Sequence, residues 1–238
     1  MTRKTSTSEI VVRTINNVIS KIGYRITPDD GRNDIYLHQY DSYEQYRDTQ
    51  VHHNVRKLAN VWADATTLDR VAARVRLVKP EGEVLGLCHG SRNGWEQAHF
   101  NAKHHGFKVL GTDISETATQ FADSVVWDFH DHNSEWVGRF DFVYSNSLDQ
   151  GWQPRKALTE WFNQTTPDGL VIIEHTADHG PGSASSMDPF GVRPQVLPYV
   201  VADWFGHQMS VEIMTGKKDN NGRDVWLFVF RKNVPAVV

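Results

Sequence analysis

The stretch 83–128 restricts the possible folds of this chain more than any other part of it. It begins with a short apolar run, turns through the glycine-bearing residues 88–94 and continues as a helix predicted over about 95–105. Two further apolar runs follow, and they end on the carboxylates of Asp113 and Asp128. Open parallel sheets bind ligands at the carboxyl ends of their strands, where a glycine lets the backbone approach the ligand. This order of elements therefore predicts a pocket of the nucleotide-binding type.

Motifs spread over about residues 80–175 resemble, in the right order, those of the class I S-adenosylmethionine-dependent methyltransferases. They are VLGLCHG at 84–90 with Gly94 after it, VLGTDI at 109–114, VWDF at 126–129, FDFVYSNS at 140–147 and TPDGLVIIE at 166–174. The resemblance implies an α/β fold, with a Rossmann-like sheet of about seven mostly parallel strands, helices on both faces and a closing antiparallel hairpin. It also implies S-adenosylmethionine as the cofactor and methyl transfer as the reaction.

The resemblance places the cofactor at the ends of these strands. The residues that it assigns to cofactor binding are Cys88, His89, Gly90, Arg92, Asp113, Ile114, Asp128, Phe129, Ser145 and Asn146. A carboxylate has two acceptor oxygens, so Asp113 suits two ribose hydroxyls and Asp128 suits the adenine amino group. Each has a plainer alternative, because Asp113 could cap the next helix and Asp128 could be a solvated loop residue. For Arg92 the alternative is a salt bridge within the turn.

The first motif departs from the family pattern at two positions. The family usually has an acidic residue where Gly86 stands and a glycine where Cys88 stands. These departures keep open a non-catalytic relative that uses the same scaffold to bind a partner, since a fold does not fix a function. A nicotinamide-dependent oxidoreductase is a further alternative, but Gly86, Gly90 and Gly94 do not have the G-x-G-x-x-G spacing that such enzymes use.

Candidate general bases follow the fourth and fifth predicted strands of the sheet. Asp149, His175 and His179 lie there, and a histidine can accept a hydroxyl proton near neutral pH. We predict His175 and Asp149 as catalytic, with purely structural roles as the alternative. His175 and His179 also have the i, i+4 spacing of a metal pair, but that spacing forms a metal face only on a helix, and here it follows a strand. No metal site is predicted, and His52, His53, His104 and His105 need no special role.

The remaining chain divides into two predicted parts. Residues 1–80 form a helical segment, with helices predicted over about 8–23, from the tyrosine-rich run at 36–46 through residue 62, and over about 68–78. By the resemblance, this segment covers the substrate side of a methyltransferase domain at 81–238. The tyrosines could face the acceptor or pack between helices. In the second part we predict a long functional loop at 175–194, a helix at 196–205 and a hairpin of strands at 209–214 and 225–230.

Composition limits the partners of the protein. The 25 basic and 29 acidic residues give a formal net charge of −4, which provides no general attraction to nucleic acid or membranes. No apolar run is long enough to span a bilayer, and the first residues lack the apolar core of a secretory signal. The single cysteine excludes an internal disulfide and fits a reducing cytoplasm. We therefore expect a cytoplasmic enzyme that methylates oxygen or nitrogen of a small molecule or glycan, without nucleic-acid or membrane partners.

Overall fold

The computed structural model describes residues 34–219 and 222–233, together with the helical residues 11, 14, 15 and 18. The chain divides into two compact units, residues 1–32 and 33–238. In the first unit the four described residues are all helical, in agreement with the helix predicted there, whose ends lie outside the described residues. The second unit contains all the elements named below, including the helices that precede the sheet.

Strands and helices alternate through most of the second unit. The strands are β1 (Ile35–Leu37), β2 (Val84–His89), β3 (Phe107–Asp113), β4 (Ser124–Val126), β5 (Phe140–Ser145), β6 (Thr165–Thr176), β7 (Phe190–Val192), β8 (Met209–Lys218) and β9 (Asp224–Lys232). The α-helices are α1 (Tyr43–Arg56), α2 (Ala65–Val78), α3 (Trp95–Lys103), α4 (Pro154–Gln164) and α5 (Leu197–Phe205). Short 3-10 helices lie at Glu116–Gln120, Leu148–Gln150, Ala177–His179 and Gly206–Gln208.

The main sheet has seven strands in the order β4-β3-β2-β5-β6-β9-β8. Five adjacent strands, β4, β3, β2, β5 and β6, run parallel to one another. Strand β9 runs antiparallel to both β6 and β8. This confirms the predicted Rossmann-like sheet with its closing hairpin. The chain leaves β2 toward β3 on one side and later returns to β5 on the other side. The strand order therefore reverses at β2, where open sheets of this type bind ligands.

Helices cover both faces of the sheet, as predicted. On one face, α2 and α3 contribute Leu68, Val71 and Phe100 to a core with Cys88 and Tyr144. The core on the other face includes α4 and α5, which bring residues such as Trp161 and Val201 against the sheet. Because both faces are buried, the central strands are apolar on both sides rather than alternating, which is typical of parallel sheets. In the described part of the chain, no helix has the length and apolar character needed to cross a membrane.

The segment before the sheet differs from its prediction in two ways. Tyr36 lies in the short strand β1, which pairs antiparallel with β7 inside the stretch 175–194 predicted as a loop. The helix predicted to continue through residue 62 ends at Arg56, where the backbone N–H of Lys57 donates to the carbonyls of the last turn. Strands β1 and β7 were missed because their pairing joins distant parts of the chain, and nothing in the local sequence pattern records it.

Candidate active site

The turn after β2 passes through left-handed backbone conformations that shape the top of the sheet. Gly90, Arg92 and Gly94 have φ values of 68°, 45° and 73°. At Gly90 a Cβ atom would lie 2.7 Å from Cβ of Ser147, so only glycine fits there. Arg92 is a non-glycine residue in this region, which is energetically unfavourable, and its backbone N–H is held by a hydrogen bond to Asp113. The turn therefore depends on its own glycines and on the hydrogen bond from Arg92 to Asp113.

The carboxylate of Asp113 ends β3 and is 7% exposed. Its Oδ2 accepts the backbone N–H of Arg92 at 3.0 Å, and its Oδ1 accepts that of Ser115 at 2.9 Å. Burial raises the pKa of this carboxyl. The following 3-10 helix is capped by Ser115, whose side chain accepts from the backbone of Thr117. A carboxylate has about four lone-pair sites, so Asp113 can accept more than these two backbone N–H groups, and the Asn54 side chain uses part of that capacity.

Asp128 follows β4 and is held by two different segments. Its Oδ1 accepts the backbone N–H and the ring Nδ1–H of His130 at 2.9 and 2.6 Å. Its Oδ2 accepts the hydroxyl of Tyr43 from α1 at 3.0 Å. Burial acts to raise the pKa of Asp128, but the hydrogen bonds from His130 and Tyr43 hold it below its ordinary value. The alternative of a solvated loop carboxylate does not describe this residue, which is 8% exposed.

A small cavity joins six of the ten residues assigned to the cofactor. It is lined by Gly90, Arg92, Asp113, Ile114, Asp128 and Phe129 at the strand ends, by Tyr46, Gln50, His53 and Asn54 of α1, and by Gln150. The space between them is only about 20 Å³, which is room for about one water molecule. Tyr46 is buried in the cavity wall, and its ring stacks on Trp152 with 5.4 Å between centroids. Helix α1 therefore forms one side of this narrow cavity.

Polar atoms without partners face this cavity from α1. Gln50 Oε1 and both ring nitrogens of His53 are buried and have no hydrogen-bond partner among the described residues. Burial, with Lys57 and Arg92 as further causes, lowers the pKa of His53 to about 4, so its ring is neutral at neutral pH. Buried polar groups are nearly always hydrogen-bonded. A water molecule or a polar ligand in the cavity would supply partners for these atoms.

A larger cavity of about 260 Å³ adjoins the first one and shares three of its lining residues. The shared residues are His53, Arg92 and Gln150, and the others are Lys57, Trp62, Asn146, Ser147, Asp149, Asp178, His179, Ser183 and Asp188. Asn146, a predicted cofactor ligand, is oriented here because its amide N–H donates to Glu96 at 3.2 Å and its Oδ1 accepts from Ser147 at 2.9 Å. The wall carries both cationic and anionic groups, which suits a polar ligand.

Asp149 and His179 face the larger cavity, but His175 does not line it. Oδ1 of Asp149 is buried without a partner, and its Oδ2 lies 3.9 Å from Nε2 of His179. Burial raises the pKa of Asp149 to about 7 and lowers that of His179 to about 4. The Nδ1–H of His175 donates to the Thr176 carbonyl at 2.7 Å, and its ring lies behind that of His179. Of the two predicted catalytic residues, only Asp149 therefore reaches the cavity wall.

Three predicted cofactor residues point their side chains into the protein. Cys88 is 1% exposed and packs in the core. The ring nitrogens of His89 are both engaged, with Oγ1 of Thr112 and Oε1 of Gln164, each at 2.8 Å. The hydroxyl of Ser145 donates to the backbone carbonyl of His89 at 2.9 Å. None of these three residues lines either of the two cavities.

The structure also explains the missing acidic residue of the first motif. At Gly86 a Cβ atom would lie 2.3 Å from Cε1 of Phe142, so no side chain fits. A buried carboxylate is supplied instead by Glu96 in the first turn of α3, which accepts a hydrogen bond from the Asn146 amide. Oε2 of Glu96 has no partner among the described residues, and burial raises its pKa to about 7. Gln50 and Glu96 were missed because each lies on a helix where its spacing resembles an ordinary solvated face.

No family model matches the sequence, and no curated protein matches it. Solved structures do match its fold. The 1,6-didemethyltoxoflavin-N1-methyltransferase of Burkholderia thailandensis, solved with bound 1,6-didemethyltoxoflavin and S-adenosylhomocysteine, is 13% identical and has a TM-score of 0.62. That match covers 83% of this chain and 93% of the other.

Two further matches differ in activity. The [4+2]-cyclase SpnF is 14% identical with a TM-score of 0.56, and the match covers 85% of this chain and all of the other. The 16S rRNA (adenine(1408)-N(1))-methyltransferase from Catenulisporales acidiphilia, solved as a mutant, is 12% identical with a TM-score of 0.52. That match covers 74% of this chain and 95% of the other. At these identities the likeness shows the fold alone, and this chain has the class I methyltransferase fold.

Proposed function

We propose that this chain, which has the class I methyltransferase fold, transfers a methyl group from S-adenosylmethionine to oxygen or nitrogen of a small molecule or glycan. One observation carries the proposal. Around the point where the strand order reverses, Gly90, Asp113 and Asp128 line one cavity, in the positions that the fold uses for a nucleotide. Each of these residues was selected from its motif alone, and the fold brings them together.

The residues of the smaller cavity fit the adenosyl part of this cofactor. Asp113 can accept more hydrogen bonds than those from its two backbone partners, which suits ribose hydroxyls, and the turn at Gly90 has no Cβ to obstruct the approach. Phe129 offers an apolar ring beside Asp128 for the base. The unpartnered atoms of Gln50 and His53 provide further hydrogen-bonding groups. When bound, the cofactor supplies a methyl group already activated by its sulfonium, and the protein contributes binding and alignment.

Cofactor entry requires a movement of α1. The 20 Å³ now left in the cavity cannot hold an adenosine, and the Tyr43 hydroxyl already occupies Oδ2 of Asp128. A shift of α1 would withdraw Tyr43 and Tyr46 together, because both lie on this helix. The sequence-based expectation of an N-terminal cover thus becomes a specific proposal, in which α1 is the element that opens.

The larger cavity is the place that we propose for the acceptor. Its volume of about 260 Å³ suits the reacting part of a small molecule. The carboxylate of Asp149 would accept the proton of an acceptor O–H or N–H as the methyl carbon passes from the sulfonium sulfur to that oxygen or nitrogen, which would leave S-adenosylhomocysteine. Burial holds the pKa of this carboxyl near 7, which matches a general base that works at neutral pH. His179 would position Asp149 from its other oxygen.

The exclusion of nucleic acid as acceptor remains a prediction. It rests on the net charge of −4, which gives no electrostatic attraction to phosphates. One protein of the same fold acts on 16S rRNA, so the fold itself does not decide this point.

Calorimetric titration of the purified chain with S-adenosylmethionine and S-adenosylhomocysteine tests the proposal. We expect one site per chain with micromolar affinity, and NADH should give no heat. Incubation with labelled S-adenosylmethionine and a panel of hydroxyl and amine acceptors would then identify the acceptor. A folded protein that binds neither compound, with or without acceptor candidates, would refute the proposal.

A second function has support of its own. Phe142 fills the position of the usual acidic side chain, α1 closes the cavity, and a [4+2]-cyclase shares the fold. The chain could therefore bind a ligand, or catalyse another reaction, without transferring a methyl group. Binding of S-adenosylmethionine without a mass increase of one methyl group in any acceptor would favour this function over the first.

A further inference from the structure

Three side chains converge on one point on the face of the sheet that α2 and α3 cover. Nε2 of His99, on α3, lies 2.8 Å from Oδ1 of Asp69, on α2. Nε2 of His104, just after α3, lies 3.0 Å from the same oxygen. None of the three lines the two cavities described above. Two imidazoles and one carboxylate thus meet at a single place that the proposed function does not use.

The spacing of these atoms is close to that of ligands around a metal ion. One ligand atom from each residue can be chosen so that all three lie within 4.8 Å of one another. Zinc at about 2.0–2.1 Å from nitrogen and oxygen ligands holds tetrahedral ligand atoms about 3.3 Å apart. Small rotations of the side chains would therefore admit an ion between them. Within the described ranges 34–219 and 222–233, no other group of three such residues is this compact.

The site combines a rigid side with an adjustable one. The side chain of His99 is 6% exposed and packs between the rings of Trp95 and Phe100. The ring of His104 contacts Phe100 and Phe107, and its side chain is 23% exposed. Asp69 is 50% exposed, so its carboxylate can rotate, and water can reach the remaining coordination position. Fixed imidazoles with an open fourth position are typical of zinc sites with three protein ligands.

We propose that Asp69, His99 and His104 form a binding site for a divalent transition-metal ion of the zinc type. Imidazole and carboxylate ligands suit zinc, and they also bind cobalt and nickel. The ion would link α2 to the end of α3 and so fasten the two helices on one face of the sheet. Because the residues lie outside both cavities, this proposal does not depend on the proposed methyltransferase activity. It contradicts the expectation that no metal is bound and that His104 needs no special role.

Titration of the untagged full chain, first treated with a chelator, tests the site. Calorimetry with zinc sulfate at pH 7.5 should give one site per chain, and cobalt should give the visible absorption of tetrahedral coordination. Removing a group that hydrogen-bonds to a metal ligand lowers metal affinity about 10–100-fold. His104→Gln removes a ligand itself, so it should weaken zinc binding by more than about 100-fold. Asp69→Asn and His99→Gln should do the same. The exposed His105→Gln is the matched control and should bind like the wild type.

Thermal unfolding supplies an independent measurement. Zinc should raise the melting temperature of the wild type and of His105→Gln, but not that of His104→Gln, because a ligand that binds only the folded state stabilises it. Circular dichroism establishes whether each variant is folded. If the buried substitution His99→Gln prevents folding, Asp69→Asn replaces it in the test, because the Asp69 side chain is exposed. Zinc binding that survives in folded Asp69→Asn and His104→Gln would place the ion elsewhere and overturn the proposal. The absence of binding to the wild type would also overturn it.

Discussion

Replacing Asp113 by asparagine separates the two roles that the structure gives to this side chain. The carboxylate now accepts the backbone N–H groups of Arg92 and Ser115, one on each oxygen. The amide of an asparagine retains one acceptor oxygen, so one of these N–H groups loses its partner. The NH₂ group also replaces an acceptor that we propose for a ribose hydroxyl. The size of the side chain is unchanged, so packing in the turn is preserved.

The two effects differ in size. The unpartnered N–H costs about 1–3 kcal/mol of stability, but the variant no longer buries a charge, and burial raises the pKa of Asp113 in the wild type. These contributions oppose each other, so the free energy of unfolding should change by less than about 2 kcal/mol. In the complex, each lost hydrogen bond to the charged group costs about 1.5–3 kcal/mol. The dissociation constant for S-adenosylhomocysteine should therefore rise by about 10- to 150-fold for each bond.

Urea unfolding and calorimetry on the same preparation measure both quantities. Asp203→Asn is the matched control, because Asp203 is exposed on α5, and its affinity should equal that of the wild type. A folded Asp113→Asn protein whose affinity for S-adenosylhomocysteine is unchanged would refute the assignment of Asp113 to the ribose. Equal losses in stability and affinity would instead show that Asp113 acts only through the turn.

Three further predictions concern the cover, the base and the pH dependence. Tyr46→Ala should cost about 3–5 kcal/mol of stability yet tighten S-adenosylhomocysteine binding in calorimetry, because it increases the fraction of molecules whose cavity is open. The exposed Tyr199→Ala should change neither quantity. Weaker binding by Tyr46→Ala would instead make Tyr46 part of the binding surface. Asp149→Asn should lower kcat of methyl transfer by about 10²–10⁴-fold with cofactor affinity retained, whereas His175→Gln should keep most of the activity. A large loss of kcat in His175→Gln and a small one in Asp149→Asn would make His175 the general base. Burial raises the pKa of Glu174 from 4.5 to about 7, so the folded state holds this proton more tightly and the wild type loses stability as pH rises across that interval. In urea unfolding, the free energy of unfolding of Glu174→Gln should therefore exceed that of the wild type by about 2–4 kcal/mol at pH 8 and by little at pH 4.5. An equal difference at both pH values would contradict the raised pKa of Glu174.

The sheet and the ends of its strands were predictable because the relevant signals are local. Each strand is a short apolar run, and Asp113 and Asp128 are recognisable because they follow such runs directly. Parallel strands place their carboxyl ends at one edge of a sheet. The order of the motifs therefore located the smaller cavity and six of its lining residues before any contact was known. The helix Leu197–Phe205 and the closing hairpin were also predicted from local patterns.

The tertiary structure decided which side chains share a space. Tyr43 meets Asp128 across 85 positions of the chain, and no local pattern reports such a pair. The same reason explains why His53 is buried at the cavity while its neighbour His52 is exposed. It also explains why Asp149, rather than His175, reaches the cavity wall.

At Gly86, His99 and His104 the surroundings of the residue are set by segments distant in sequence. Gly86 departs from the family motif, and the reason is Phe142 on the neighbouring strand, which leaves no room for a side chain. His99 and His104 look ordinary in sequence until α2 brings Asp69 between them. The sequence alone determined the strands of the main sheet and the carboxylates that end two of them, because backbone geometry and apolar periodicity act over a few residues. The closed cavity, the base and the three-residue cluster depended on packing between distant segments, which only the folded chain specifies.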